Sequence, residues 1–381
     1  MIYLDGAAGT KPYPEVIETI TDVLINHWGN ASSSNSLGHD ARIMINNVTE
    51  QVAKDINCSS DEIIWTSGAC EANSLAIIGI LSKNPHMRFF TTHLEHTSIS
   101  EIVKSGAVSN PVYFIDNDRE GRISTSDLYK KLAWSYRNGF RVLVSVSFAN
   151  SEIGTIQDIA TIANIVHDFG GILHVDATQM YPWGNINVKA LGIDLMSVSG
   201  QKLHCVKGVG FLYAKDGIEI QPMIYGAQQG GRRGGTMPTH LIAAFGKALE
   251  TTRKCSDSIG IKSISSWRDV LLESLLNIDG VTLNGSMKYR LPNNISLTID
   301  GVDANALVTM CDLMGVIIAK GSACKSYEPT PSETLTAIGL TPEQALNTIR
   351  ISLDNFTSRS DINQAASIIT QLITQIREEN S

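Results

Sequence analysis

Ile172-Leu173-His174-Val175-Asp176-Ala177-Thr178-Gln179 is an apolar run that closes on a carboxylate and then on small polar residues. A short apolar run bounded in this way reads as a strand buried on both faces. Before it, residues 159–169 repeat apolar side chains at helical spacing. After it, residues 195–199 form a second apolar run that ends in Ser199-Gly200-Gln201-Lys202. Working outward, further strand-like runs fall at residues 63–66, 88–92, 112–115, 142–148 and 209–213. Helical patterns lie between most of them, for example at residues 41–56 and 69–81. Strand–helix alternation of this kind predicts an α/β fold, a mostly parallel sheet with helices on both faces. In such sheets ligands gather at the carboxyl ends of the strands.

A long helical pattern from His240 through Cys255 towards Leu276 leads out of this region. Beyond it, strands at residues 295–299, 316–320 and 348–353 mix with helices at 304–314, 332–338 and 361–378. The expected organisation is a large domain over residues 15–250. A smaller α+β domain is formed by residues 1–14 and 251–381.

The chain has 381 residues, 43% hydrophobic and 18% charged, which is the composition of a folded globular protein. Its net charge of −8 argues against a general nucleic-acid or anionic-membrane surface. The six cysteines have no metal-finger spacing and no CxxC pair, so reduced thiols in a cytoplasm are expected. The opening MIYLDGAAG lacks a signal-like apolar region, and no apolar run is long enough to span a bilayer.

Three short stretches carry chemistry. Thr66-Ser67-Gly68-Ala69-Cys70-Glu71 falls where a strand ends and a helix begins, where exposed N–H groups and the helix dipole favour an anion. By itself it is more often a tight turn with a Ser or Thr helix cap. Asp176 ends a strand, where a carboxylate can hold a pyridine nitrogen protonated or simply cap a helix. Lys202 is delivered at another strand end and can form a Schiff base, although a lone loop lysine is usually just solvated.

Their order resembles the class V aminotransferase family of fold-type I pyridoxal enzymes and, within it, the NifS/IscS-like cysteine desulfurases. The resemblance spans YLDGAAG, GNASS (29–33), TSGACEAN (66–73), EH (95–96), SEIGTIQDI (151–159), HVDATQ (174–179), DLMSVSGQK (194–202), RRGGT (232–236), GSAC (321–324) and IRISL (349–353). It implies pyridoxal 5'-phosphate as cofactor, carried by Lys202, with Asp176 beneath the ring nitrogen. Gln179 would touch the phenolic oxygen, and His96 would stack on the ring and transfer protons. Ala69, Cys70, Ser199 and Gln201 would form the phosphate cup, with Ser151 beside the cofactor and Asn150 one place earlier on the substrate side. Thr236 would reach the phosphate of a partner subunit in a homodimer. Arg350 would clamp the α-carboxylate of L-cysteine, a role suited to a bidentate fork. Cys324 would be the nucleophile that takes sulfur as a persulfide and passes it to a sulfur-acceptor protein.

Several positions depart from that pattern. Gln201 stands for histidine, Cys70 for threonine, Ser151 for asparagine, Gly6 for asparagine and Asn35 for histidine, and the loop GAQQGGRRGGT lacks the usual Glu-Arg pair. The resulting expectation is an active but specialised desulfurase; the resemblance implies iron–sulfur assembly or tRNA thiolation as the common outlets, with a dedicated pathway such as DNA phosphorothioation as the minority alternative and the nucleic acid handled by another protein. Selenocysteine cleavage, class V transamination and a non-catalytic scaffold are the rival readings. A transaminase does not need Cys324, and a scaffold would be colourless.

Overall fold

A computed structural model describes residues 1–255, 260–321 and 331–379. Strand β1 (Ile2–Tyr3) precedes helices α1 (Pro14–Asn26) and α2 (Ser36–Ile56). The alternating region follows as β2 (Ile63–Thr66), α3 (Ala69–Lys83), β3 (Arg88–Thr91), α4 (Thr97–Lys104), β4 (Val112–Phe114) and α5 (Thr125–Arg137). It continues as β5 (Val142–Ser147), α6 (Ile159–Asp168), β6 (Ile172–Asp176), α7 (Val188–Leu191), β7 (Leu195–Ser199) and β8 (Gly210–Ala214). Helices α8 (Thr239–Cys255) and α9 (Ile261–Leu276) come next, then β9 (Val281–Leu283), β10 (Asn294–Ile299) and α10 (Ala304–Leu313). The chain closes with β11 (Val316–Ile317), β12 (Ala319–Lys320), α11 (Glu333–Ala337), α12 (Pro342–Leu346), β13 (Thr348–Ser352) and α13 (Arg359–Glu379).

The large sheet has seven strands in the order β2-β8-β7-β6-β5-β3-β4. Every pair from β7 to β4 is parallel, while β8 runs antiparallel to both of its neighbours. Side chains of one strand alternate between faces, so Val142, Val144 and Val146 enter one core cluster and Leu143 the other. Both faces are covered, which is why these strands read as continuous apolar runs. A four-stranded antiparallel sheet, β12-β13-β10-β9, has its own core with α9, α10 and α13.

The expected strand over residues 316–320 is two strands in different sheets. Val316–Ile317 pairs with β1 and Ala319–Lys320 pairs with β13, on either side of the buried Ile318. This switch ties the N-terminal segment to the small sheet, and Asp5 extends the contact through a bridge to Ser352. The register of the large sheet places Ser147 opposite Asp176 and Asp176 opposite Ser197, while Ser199 lies opposite Gly210. Three strand ends therefore open onto one place.

Candidate active site

A cavity of about 400 Å³ lies at these strand ends. Asp176 is 6% exposed and closes β6, as a strand-terminal carboxylate should. Two groups hold it: the Asn73 side-chain amide donates to Oδ2 at 2.8 Å, and the Thr178 N–H donates to Oδ1 at 3.0 Å. Asn73 is buried in the middle of α3 and its amide also donates to Ser98 Oγ at 2.9 Å. The TSGACEAN stretch contains Asn73 without marking it as a site residue. Its signal was present all the same: one amide among Ala72, Leu75, Ala76 and Ile77 on a buried helix face, where a polar group demands a partner.

His96 caps α4, its Nδ1 accepting the Ser98 N–H at 3.1 Å. A ring nitrogen that accepts cannot carry the proton, so the neutral imidazole is protonated on Nε2. Lys202 ends a short turn after β7, and its amine donates to the Ala8 carbonyl at 2.6 Å. The Gln179 amide donates to the Ala7 carbonyl at 3.1 Å, so the YLDGAAG segment walls the cavity on this side.

At the other end, Ser67 and Gly68 lead into α3, which opens with Ala69 and Cys70, and no side chain among the described residues caps that helix. Gly68 has φ +148°, a conformation that L side chains rarely adopt, and it packs against Gly210, where a Cβ would fall 2.8 Å from the Gly68 Cα. Glu71 in the first turn takes the Ser67 N–H at 2.7 Å. Burial alone would raise its pKa, but the Arg233 guanidinium, 2.7 Å away, overrides this and holds the carboxyl below the ordinary range. The loop that lacks the expected Glu-Arg pair thus reaches α3 with an arginine of its own. The same loop is pinned by Gln229, whose side-chain amide accepts from the Trp65 N–H at 2.6 Å and donates to the Trp65 carbonyl at 3.0 Å, completing an edge strand.

Ser151, Ser199, Gln201 and Arg350 also line the cavity. Arg350 is 3% exposed and pairs with Asp5 at 2.8 Å through Nη2, while Nη1 donates to the Ser151 carbonyl and Nε has no hydrogen-bond partner among the described residues. Asn150 does not line it. Its amide donates to the Leu94 carbonyl and its oxygen accepts the Glu152 and Ile153 N–H groups, so it shapes a turn rather than facing the cavity. Thr236 is exposed and away from the lining. Asn35 caps α2 by accepting the Gly38 N–H at 2.9 Å, a helix-start role. Cys324 lies outside the described residues.

The aminotransferase class-V family model matches residues 2–365. The chain belongs to this family. It is 35% identical to the cysteine desulfurase IscS of Dictyoglomus turgidum over 99% of this chain and 95% of that protein. Among solved structures it matches the NifS-like protein of Rickettsia africae with a TM-score of 0.88 at 30% identity, covering 98% of this chain and 99% of that one. SspA in complex with cysteine matches with a TM-score of 0.79 at 28% identity, over 94% and 100% of the two chains.

The cofactor of the family is pyridoxal phosphate, and the residues present fit it. The uncapped α3 terminus suits the phosphate, and the fixed Asp176 carboxylate suits a protonated ring nitrogen. The Thr178 hydroxyl, buried in the cavity wall with no hydrogen-bond partner among the described residues, leaves a polar group for a bound molecule to satisfy.

Proposed function

We propose that this chain, a cysteine desulfurase of the class-V family, moves sulfur from L-cysteine onto Cys324 and leaves L-alanine. The observation that carries the reading is the convergence of Lys202, Asp176, His96 and Arg350 on one cavity. Bound pyridoxal phosphate, carried by Lys202, supplies an electron sink for negative charge at the substrate Cα. Asp176 keeps the ring nitrogen protonated. The Lys202 amine takes the Cα proton, and His96 moves a proton at the substrate thiol. Arg350 receives the α-carboxylate, with its unpartnered Nε and the Asp5-paired Nη2 as the donors available. The Cys324 thiolate attacks the substrate sulfur. The C–S bond breaks, its electron pair stays on Cβ and is protonated, and Cys324 holds a persulfide.

Replacing Cys324 by serine tests this. The purified variant stays yellow and forms neither persulfide nor alanine; a variant that still accumulates bound persulfide overturns the assignment. Borohydride reduction and peptide mapping place the pyridoxyl group on Lys202 rather than Lys207, which lines a different cavity.

The active unit we infer is a homodimer in which Thr236 serves the partner's phosphate. Supporting this, α1 and α2 expose Ile17, Leu24, Ile25, Leu37 and Ile43, and Trp28 is 69% exposed nearby. Light scattering gives the dimer mass, and an active monomer contradicts the reading. We further infer that a sulfur-acceptor protein takes the persulfide in a dedicated route such as DNA phosphorothioation, supported by the altered cofactor loops. Pull-down with the persulfidated enzyme identifies the acceptor. The division into a large domain of residues 15–250 and a small domain of residues 1–14 and 251–381 belongs to the same proposal. No helix among the described residues is long and apolar enough to cross a membrane.

A further inference from the structure

A second cavity of about 480 Å³ lies beyond the end of β3, lined by Thr92, His93, Lys104, Phe114, Glu333 and their neighbours. Lys104 and Glu333 form an ion pair at its mouth with 42% and 41% of their side chains exposed, so this cavity meets solvent. Between it and the catalytic cavity sits Glu95, 9% exposed. The Thr92 hydroxyl lies 2.6 Å from Glu95 Oε1, and the Ser147 hydroxyl lies 2.6 Å from Oε2. Thr92 belongs to the wall of the second cavity and Ser147 to the wall that holds Lys202, His96 and Asp176. Hydroxyl, carboxyl and hydroxyl thus form one unbroken hydrogen-bonded chain across the protein between the two spaces.

We propose that Thr92, Glu95 and Ser147 form a proton relay that connects the desulfuration site with solvent through the second cavity. In the working state Glu95 is a neutral acid with its proton on Oε1, and the Thr92 hydroxyl, which donates to the ionised carboxylate, is turned to accept that proton. Ser147 takes a proton from the catalytic cavity as it gives its own to Oε2, while Oε1 passes its proton to the Thr92 hydroxyl, which releases its own to water in the second cavity. One proton crosses, no electrons move, and rotation of the hydroxyls resets the chain. Glu95 touches no reacting atom and acts through Ser147.

The surroundings favour the neutral acid. Burial raises the Glu95 carboxyl, the hydrogen bonds from Ser147 and Thr92 oppose this, and the Asp176 carboxylate raises it again, to about 7. Asp176 faces it from β6, while the β3 end and β5 contribute the two hydroxyls. A buried carboxyl held only to stiffen the His96 loop would be served better by an amide, which satisfies both hydroxyls at no ionisation penalty. Balanced protonation near neutral pH is instead what a relay needs.

The inference rests on the desulfurase reading, and its test separates the two. Glu95→Gln keeps shape and hydrogen bonds but cannot carry a proton; it lowers kcat for alanine formation by about 10- to 100-fold, with KM for L-cysteine and the yellow colour unchanged. Thr92→Val, at the solvent end, lowers kcat alike, and Thr92→Ser restores it. In the wild type kcat falls as pH rises through about 7, and this limb is lost in Glu95→Gln. Independently of turnover, infrared titration of the cofactor-free protein shows a carboxylic-acid band that disappears near the same pH and is absent from Glu95→Gln. Full kcat with an unaltered pH profile in Glu95→Gln overturns the relay, as does a silent Thr92→Val. Cys324→Ser, by contrast, blocks persulfide formation and leaves the infrared titration in place, so a failure of the nucleophile assignment is read separately.

Discussion

The two ends of the catalytic cavity are built on different principles. At the ring end, each group has one job at one atom: Asn73 and the Thr178 N–H fix Asp176, and the Ser98 N–H fixes the His96 tautomer. At the α3 end, the cradle is backbone N–H groups and small residues, with a charge balance supplied from the 226–236 loop through Arg233 and Glu71. An anion held by several weak donors tolerates exchange of any one of them, because the loss is shared. A single carboxylate under a ring nitrogen has no substitute. The departure from the family pattern at Cys70 falls at the tolerant end, in the first turn of α3, whereas Asp176, Lys202 and His96 are intact.

The comparison is most exposed at Asp176. Asp176→Asn keeps the shape, loses the charge and sets its NH2 against either the Asn73 amide or the Thr178 N–H, so kcat for alanine formation falls on the order of 10²- to 10³-fold. A loss of only a few-fold erases the distinction between the two ends.

Glu95 sharpens it through stability. Its pKa is raised from 4.5 to about 7, so the folded protein binds the proton more tightly than the unfolded chain. Stability is therefore complete below the unfolded value and declines as pH rises through about 7. Glu95→Gln removes that decline, stabilising the protein at pH ~8 by up to about 3 kcal/mol and little at pH ~4. Thermal unfolding at the two pH values measures this; equal shifts at both contradict it.

At the α3 end, Arg233→Ala leaves Glu71 as an unanswered negative charge beside the phosphate. Cofactor Kd rises about tenfold, or about 1.4 kcal/mol, and a second change, Glu71→Gln, recovers most of the loss. Equilibrium titration of the cofactor-free protein reads both. The smallest effects belong to Cys70→Thr and Gln201→His, which tighten cofactor binding by about two- to fivefold through better donors and leave kcat nearly unchanged.

Local signals were legible in the chain. Apolar runs of strand length, helical spacing and a turn of small residues before Ala69 defined the elements around the cavity, since burial on both faces and backbone sterics act over a few residues. Lys202 and Asp176 were visible because Asp176 ends one strand and Lys202 closes the short turn after another, and the carboxyl ends of parallel strands face one space. The split at Ile318 was not visible, because the two halves of that apolar run pair with partners far away in the chain. Asn150 could not be told from a substrate contact, since only the packed turn shows its amide turned to Leu94 and its oxygen to Glu152 and Ile153.

Residue types, element order and the identity of the strand-end groups were thus set by the sequence alone. Which groups those residues meet was decided by the tertiary structure. Asn73 with Asp176, Arg233 with Glu71, and Glu95 with Ser147 join segments that local periodicity treats separately. Strand register and helix packing bring them together, and burial makes each pairing count, because an unpaired polar group in the interior costs about 1–3 kcal/mol.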